Sequence, residues 1–173
     1  MRPQEALGAI VRASPGLLTR YAAGFDDASR IAQAPNLPNH LAWILGHCAL
    51  TMHRCAEKLD ARPLPDSDFV MGDGRSGTPS RFDTESICFG STPVADASLY
   101  PSLARCIEIF QQGAERLATT VQSLSDAEFE RTHTWGEHSA SVSDLITRMV
   151  THNGTHTGQL VDLRRALGMG SIF

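Results

Sequence analysis

The amino-acid sequence predicts a single all-α domain with the architecture of a helical bundle. Four segments carry apolar residues at helical spacing, and no run alternates apolar and polar residues with the period of two that is typical of a strand. The chain has 173 residues, of which 42% are hydrophobic, and this is enough apolar material for one core. We therefore expect one helical domain that spans residues 1–173.

Charge and hydropathy exclude several classes of partner. The formal net charge is −4 and no block of Lys or Arg is present, so nucleic acid is not an expected partner. The uncharged stretch 31–53 contains Pro35, Asn36, Pro38 and Asn39, so we interpret it as a loop that leads into a buried helix and expect no membrane span. No apolar signal segment follows Met1, and we expect a soluble, cytoplasmic protein.

The cysteines show no spacing that is typical of a metal or redox site. They are Cys48, Cys55, Cys88 and Cys106, and no C-x-x-C pair occurs among them. Cys48 and Cys55 are seven residues apart on one predicted helix, which is too far for a disulfide. We expect reduced thiols that fill apolar space as small hydrophobic groups.

The first two helical segments cover the N-terminal third of the chain. The first spans about residues 3–25 and is interrupted at Pro15, which is expected to start a fresh helix. Its apolar side is formed by Leu7, Ile10, Val11, Leu18, Tyr21 and Phe25. The second helix is expected to begin near Pro38 and to end near Arg62-Pro63. Its apolar stripe is formed by Leu41, Ile44, Cys48, Met52, Cys55 and Leu59.

The third helix is expected after Tyr100-Pro101, and Ser125 to Glu128 has the pattern of a capping box that opens a short helix. The stripe of the third helix is formed by Leu103, Ile107, Phe110, Ala114, Leu117 and Val121. The last helix should begin between Ser141 and Asp144 and stop at Gly168. Its stripe is formed by Leu145, Met149, His152, His156, Leu160, Leu163 and Leu167, so two histidines occupy inward positions that packing would assign to leucine.

The connection between the second and third helices is long for a compact bundle. It runs from about Ala61 to Leu99, is rich in Gly, Ser, Pro and Asp, and includes Met71-Gly-Asp-Gly-Arg-Ser-Gly77. Loops longer than about 12–15 residues are usually functional or disordered. A mobile lid over a site is one interpretation of this segment, and a connector without function is the other.

Two histidines one helical turn apart predict a metal site. His152 and His156 project from the same face, so both imidazoles could reach one ion at about 2.0–2.1 Å. The best third ligand is His47, which lies in the most apolar stretch of the chain beside Gly46, where the missing side chain permits close approach. Three neutral imidazoles suit zinc, nickel, iron or copper and leave a coordination position open. The alternative is a set of core histidines satisfied by hydrogen bonds.

Other catalytic patterns are not supported. Asn153 follows His152 where a helical metalloprotease needs a glutamate base, and the Glu-x-x-His repeats of a di-iron bundle are absent. We expect His40 and His53 to be solvated or capping residues and place His133 and His138 at the mouth of the site without assigning them as ligands. Asp144 and Asp162 are the nearest carboxylates to the pair along the helix, and neither can be assigned as a general base.

Two stretches of the sequence, Leu37 to His47 and His152 to Gly168, resemble the DinB/YfiT-like superfamily in order and spacing. The resemblance implies a four-helix bundle with an unusual crossover connection between helices 2 and 3, a metal held by one histidine of the second helix and two of the last, and a homodimer. In this chain the three ligand positions fall on His47, His152 and His156. Gly154 departs from the bulkier residues of relatives and costs about 1 kcal/mol of helix propensity, so we expect a backbone or substrate to approach it.

The resemblance leaves the reaction open. It implies a metal-dependent transferase that uses a thiol, or a hydrolase, acting on a small-molecule substrate with a low-molecular-weight thiol as a possible co-substrate. A metal-binding or stress-response protein without turnover is the second interpretation. A bundle whose histidines only fill a polar core is the third, because the fold alone does not determine function.

Overall fold

Helices form most of the chain in the computed structural model, which describes residues 1–173. The α-helices are α1 (Pro3–Ala13), α2 (Pro15–Tyr21), α3 (Leu41–Asp60), α4 (Thr84–Ile87), α5 (Leu103–Ser123), α6 (Asp126–Phe129) and α7 (Val142–Ala166). The bundle consists of α1 with α2, α3, α5 and α7, and the main helix contacts are α3 with α5, α1 with α5, α2 with α7 and α3 with α7. The predicted four-helix bundle with a long connection between its second and third members is confirmed.

The first segment breaks where the sequence indicated. Pro15 is the first residue of α2, where its missing N–H is harmless because that donor has no partner inside the helix. Val11 and Leu18 are buried as expected, but Ile10 is 49% exposed and does not belong to the inward stripe. The helix ends at Tyr21, and Phe25 reaches the core from the loop that follows.

The second bundle helix begins at Leu41 and not near Pro38. His40 is its N-cap, and the imidazole Nδ1 accepts a hydrogen bond of 3.1 Å from the Trp43 N–H. The Nε2 of His40 therefore carries the hydrogen and donates it to the Val94 carbonyl at 3.1 Å. The expectation of a capping role is confirmed, while the alternative of a solvated side chain is wrong because His40 is fully buried.

Two segments near the last helix follow their local signals. The capping box of Ser125 and Glu128 is present and opens α6. Ser141 forms a second capping box with Asp144 at the start of α7, and the chain leaves that helix through Gly168, which has a φ of +69°. No helix in the chain combines the length and the apolar character that a bilayer crossing requires.

The sequence analysis predicted no strands, and this prediction is wrong in two places. Strands β3 (Thr132–Trp135) and β4 (His138–Ser141) form an antiparallel hairpin closed by Gly136 and Glu137. Gly136 has a φ of +62°, which glycine adopts without strain. Alternating hydrophobicity is weak here because the hairpin lies at the surface, so neither of its faces needs to be continuously apolar.

The connection from 61 to 99 carries structure of its own. Strands β1 (Phe69–Val70) and β2 (Phe82–Asp83) pair in parallel and lead into α4. The Asp83 carboxylate is fully buried and accepts hydrogen bonds from the N–H groups of Gly74, Ser76 and Glu85 at 2.7–2.8 Å. The Gly-rich segment is thus folded around one carboxylate, which also caps α4.

Packing against α3 and α5 fixes this connection further. The Phe82 ring covers Gly46 so closely that a Cβ at this glycine would lie 2.7 Å from Phe82 Cε1. Close approach at Gly46 was expected, and the group that approaches is this aromatic ring. Arg105 of α5 donates to the carboxylate of Asp68 at 2.6 Å, so the connection is held from both helices.

Candidate metal centre

Two bundle helices bring three imidazole rings to one point. The Nε2 atom of His47 on α3 lies 3.0 Å from Nε2 of His152 on α7, and Nε2 of His156 lies 3.2 Å from the same atom. One ligand atom from each ring falls within 4.8 Å of the other two. The structure therefore brings together the three residues proposed from the sequence, while metal binding itself stays a prediction.

Hydrogen bonds on the outer side of the His47 and His156 rings determine which nitrogen of each ring directs a lone pair toward the centre. His47 Nδ1 lies 2.7 Å from the carbonyl oxygen of Ile87, and His156 Nδ1 lies 2.8 Å from Gln159 Oε1. Both oxygens can only accept, so both Nδ1 atoms carry the hydrogen. In a neutral ring the Nε2 atom then has a free lone pair, which is the form that coordinates a metal.

The convergence of the three rings leaves too few hydrogens for a purely hydrogen-bonded cluster. His152 can place one hydrogen on Nε2, which would have to serve the lone pairs of both His47 and His156. With at most one hydrogen among the three Nε2 atoms, at least two lone pairs lie close together, and a cation between the rings would match all three nitrogens. The residues present thus fit a divalent metal bound by imidazole nitrogen, with room for a further ligand.

Burial keeps these histidines neutral. Burial, followed by the neighbouring His156 and His47, lowers the pKa of His152 to about 3. Burial, followed by His47, lowers the pKa of His156 to about 4, and burial also lowers the pKa of His47. Near neutral pH all three rings are therefore uncharged, as metal ligands must be.

Neighbouring side chains hold the rings in place. The Trp43 ring stacks on His47 with centroids 4.5 Å apart and planes 8° apart, and its Nε1–H donates to Ser91 Oγ at 2.9 Å. Gln159, which orients His156, accepts a further hydrogen bond of 3.1 Å from Asn39. Sequence reasoning did not assign these supports. Trp43 and Gln159 follow the helical spacing of the ligands, at i−4 and i+3, and could have been found from it.

A cavity of about 660 Å³ opens beside the three rings. His47 and His152 lie in its wall, whereas His156 does not. The remaining lining residues are Leu50, Thr51, Arg54, Cys88, Phe89, Trp135, Gly136, Glu137, His138, Arg148 and Met149. The long connection and the hairpin that the sequence did not predict therefore each supply part of the wall.

Several residues considered from the sequence lie elsewhere. Asp144 accepts hydrogen bonds from Ser141 at the start of α7, and Asp162 pairs with Arg165 at 3.1 Å, so neither carboxylate serves the site. His53 is only 1% exposed, which makes the expectation of a solvated or capping residue wrong, because the connection covers that face of α3.

The two histidines of the hairpin are placed differently from each other. His138 lines the cavity, in agreement with a position at the mouth, whereas His133 does not. Nothing lies within 4 Å of where a Cβ of Gly154 would be, so the expected approach of a backbone to that glycine is wrong.

The cysteines behave as the sequence indicated. All four are free, and Cys48, Cys55 and Cys106 are buried. Burial raises the pKa of the Cys55 thiol to about 12, so this group stays protonated. Cys88 alone lines the cavity, and burial followed by the nearby Glu85 raises its pKa.

Comparisons with known proteins agree with this description. The family model of the DinB superfamily matches residues 11–160. A conserved protein from Enterococcus faecalis has a similar structure with a TM-score of 0.70 and 12% sequence identity, over 97% of this chain and 99% of that one. YfiT from Bacillus subtilis, described as a probable metal-dependent hydrolase with an unusual four-helix bundle topology, gives a TM-score of 0.62 at 14% identity, over 98% and 91% of the two chains. No curated protein matches the chain.

Proposed function

Because this chain belongs to the DinB superfamily, we propose that it binds a divalent metal ion through His47, His152 and His156 and uses it to hydrolyse a small molecule. The observation that carries this proposal is the convergence of three neutral imidazoles beside an open cavity. The description of the structurally similar YfiT as a probable metal-dependent hydrolase supports hydrolysis as the reaction. Zinc, nickel and iron all suit this ligand set.

The residues of the chain perform the orienting part of this function. When bound, a divalent ion would lower the pKa of a coordinated water toward about 7 or hold a thiolate as nucleophile. The Ile87 carbonyl and Gln159 hold the His47 and His156 rings with Nε2 toward the centre. Leu50 and Met149 contribute buried apolar surface to the cavity wall beside the histidines.

A thiol-dependent transferase is the second candidate, and the composition of the cavity wall favours it. The only carboxylate in that wall is Glu137 at the exposed tip of the hairpin, so a protein base for water is not in evidence beside the histidines. A thiol, with a pKa of about 8.5, ionises far more readily than free water at about 15.7 and needs less help from a base. A thiol nucleophile therefore does not need the protein base that the cavity wall lacks.

The test is to purify the chain without a histidine tag and measure its metal by plasma mass spectrometry. Small esters and amides are then assayed for hydrolysis, and small electrophiles are assayed for transfer with added thiols. We expect one ion per chain, turnover that a chelator abolishes and metal restores, and loss of both in His152→Ala. Stoichiometric metal without either activity would indicate a metal-binding protein without turnover. The absence of metal would indicate histidines that only fill a polar core.

A further inference from the structure

Two arginines in the cavity wall have no acidic partner. Arg54 on α3 and Arg148 on α7 both line the cavity, and neither side chain forms a hydrogen bond or an ion pair within the chain. Arg54 is half-buried, and other half-buried arginines, such as Arg105 and Arg116, do pair with aspartates, at 2.6 and 3.1 Å. Arg148 is exposed at the mouth of the cavity. The guanidinium groups in the cavity thus keep their hydrogen-bond donors free.

Helical spacing places both arginines on the faces that carry metal ligands. Arg54 lies seven residues after His47, and Arg148 lies four residues before His152. Residues at these intervals share one side of a helix. The two helices that present the histidines therefore also deliver two positive charges to the same cavity.

The rest of the wall is suited to an apolar group. Phe89 is 94% exposed at the cavity, and Trp135 of the hairpin presents a second aromatic ring there. The single acidic residue of the wall, Glu137, lies in the hairpin turn and does not neutralise either arginine through an ion pair. The wall thus combines net positive charge with aromatic surface.

We propose that this cavity binds a small organic anion whose carboxylate or phosphate group is held by Arg54 and Arg148 and whose apolar part contacts Phe89 and Trp135. Guanidinium groups bind both kinds of oxyanion through paired, charge-assisted hydrogen bonds. A volume of about 660 Å³ lies within the range of small-molecule pockets. The inference names the substrate class of the proposed function and rests on it for the reaction, while the binding step can be measured separately.

The test compares matched ligands by calorimetry. The probes are 3-phenylpropionate, phenyl phosphate and the neutral 3-phenylpropionamide, each titrated into chelator-treated and into metal-loaded protein. We expect at least one anion to bind about tenfold or more tightly than the amide, since hydrogen bonds between charged groups are stronger than those to a neutral amide. The carboxylate and phosphate arms show which oxyanion the cavity prefers.

Substitution of the arginines connects binding to these side chains. Arg54→Gln and Arg148→Gln should each raise the Kd of the preferred anion by about tenfold. Arg131→Gln is the matched control, because Arg131 is exposed, has no partner and lies outside the cavity wall, and its effect should stay within about twofold.

The outcomes separate this inference from the proposed function. Equal binding of amide and anions, or anion binding that neither arginine substitution weakens, would overturn the inference even if the protein holds metal and turns over a neutral substrate. Arginine-dependent anion binding in a protein that takes up no metal would support the anion site and refute the proposed metal-dependent hydrolysis.

Discussion

Single hydrogen bonds decide how the histidines of the centre are used. The Ile87 carbonyl and the Gln159 amide oxygen each accept a hydrogen bond from the Nδ1–H of one ring, and this directs Nε2 of His47 and His156 inward. Without these oxygens an imidazole could present either nitrogen or rotate away. The site therefore depends on residues that would never bind the metal themselves.

The first prediction concerns the ligands. His47→Ala, His152→Ala and His156→Ala should each abolish stoichiometric metal binding, because two imidazoles hold a divalent ion far less tightly than three. Metal content after gel filtration is measured by plasma mass spectrometry. His138→Ala removes an exposed histidine from the cavity wall and should retain metal, as should His40→Ala and His53→Ala. Unchanged stoichiometry in His152→Ala would refute the proposed ligand set.

The second prediction concerns Gln159. Gln159→Leu should weaken metal binding by about 10–100-fold, because loss of a partner that orients a ligand typically has an effect of this size. Gln159→Glu should restore binding, since a carboxylate oxygen also accepts the Nδ1–H of His156. Competition with a chromophoric chelator gives the affinities, and circular dichroism checks that both variants are folded. Equal affinity of the leucine and glutamate variants would show that the hydrogen bond does not orient the ligand.

The third prediction concerns pH and uses His53, which lies away from the centre. Burial, followed by the charge of Arg116, lowers the pKa of His53 to about 4, against about 6.5 for an exposed histidine. Between pH 6.5 and 4 the unfolded chain binds a proton at His53 and the folded chain does not. The free energy of unfolding should therefore decrease as the pH is lowered from 6.5 to 4. The slope is about 1.4 kcal/mol per pH unit for each such histidine.

Urea unfolding at several pH values checks this dependence. His53→Gln cannot be protonated and should show a shallower slope than the unmodified chain over the same interval. Identical slopes would mean that His53 does not contribute to the acid sensitivity of the fold.

At the scale of elements, two glycines inside helices have opposite meanings. Gly46 of α3 is in close contact with the Phe82 ring of the long connection. Gly154 of α7, which lies between the two histidines in the sequence, has nothing within 4 Å of where its Cβ would be. Both reduce helix propensity by about 1 kcal/mol relative to alanine. Only the first has a packing reason.

The fourth prediction uses this matched pair. Gly46→Ala should lower the free energy of unfolding by about 1–3 kcal/mol, because the added methyl group must displace the Phe82 ring. Gly154→Ala should raise it by up to about 1 kcal/mol through helix propensity and should leave metal binding unchanged. Thermal and urea unfolding of both variants provide the comparison. A destabilised Gly154→Ala protein would reveal a constraint at this position that packing does not account for.

At the scale of the whole molecule, the core is large enough to hold the fold without help from a metal. One cluster of 33 buried apolar residues joins the bundle helices with Phe69, Phe82 and Ile87 of the connection. A domain of this size buries enough apolar surface to fold without a metal. The connection borders the centre through the Ile87 carbonyl, and through Cys88 and Phe89 in the cavity wall.

The fifth prediction is that removal of the metal impairs function before fold. Helical circular dichroism should persist in chelator. The melting temperature should decrease only as far as the loss of the metal-binding free energy accounts for. Hydrogen exchange should quicken in residues 88–93 and stay slow in α3 and α5. The reason is that the Ile87 carbonyl, just before this segment, contacts His47, whereas the earlier part of the connection is held by hydrogen bonds to Asp83. Global exchange in chelator would instead identify the metal as structural. The sequence suggested a mobile lid over the whole connection from Ala61 to Leu99, and slow exchange throughout that connection in both states would contradict it.

The helices and the pair of histidines on α7 could be predicted because their signals are local. Apolar periodicity, the Ser125 and Ser141 caps and the break at Pro15 each depend on residues within one or two turns. The spacing of four between His152 and His156 likewise determines that both face one side. His47 was proposed from its apolar stretch and the neighbouring Gly46, and the resemblance to the superfamily pointed to the same residue and added the topology.

Only the tertiary structure decided what surrounds these residues. The oxygen that orients His47 comes from Ile87, 40 positions away, and the wall of the cavity combines two helices, the connection and a hairpin with no hydrophobic signature. His53 was misjudged for the same reason, since the face of α3 that it occupies is covered by a distant segment. Periodicity describes one element and its own faces, whereas burial, hydrogen-bond partners and the meeting of Arg54 with Arg148 in one cavity depend on how separate elements pack.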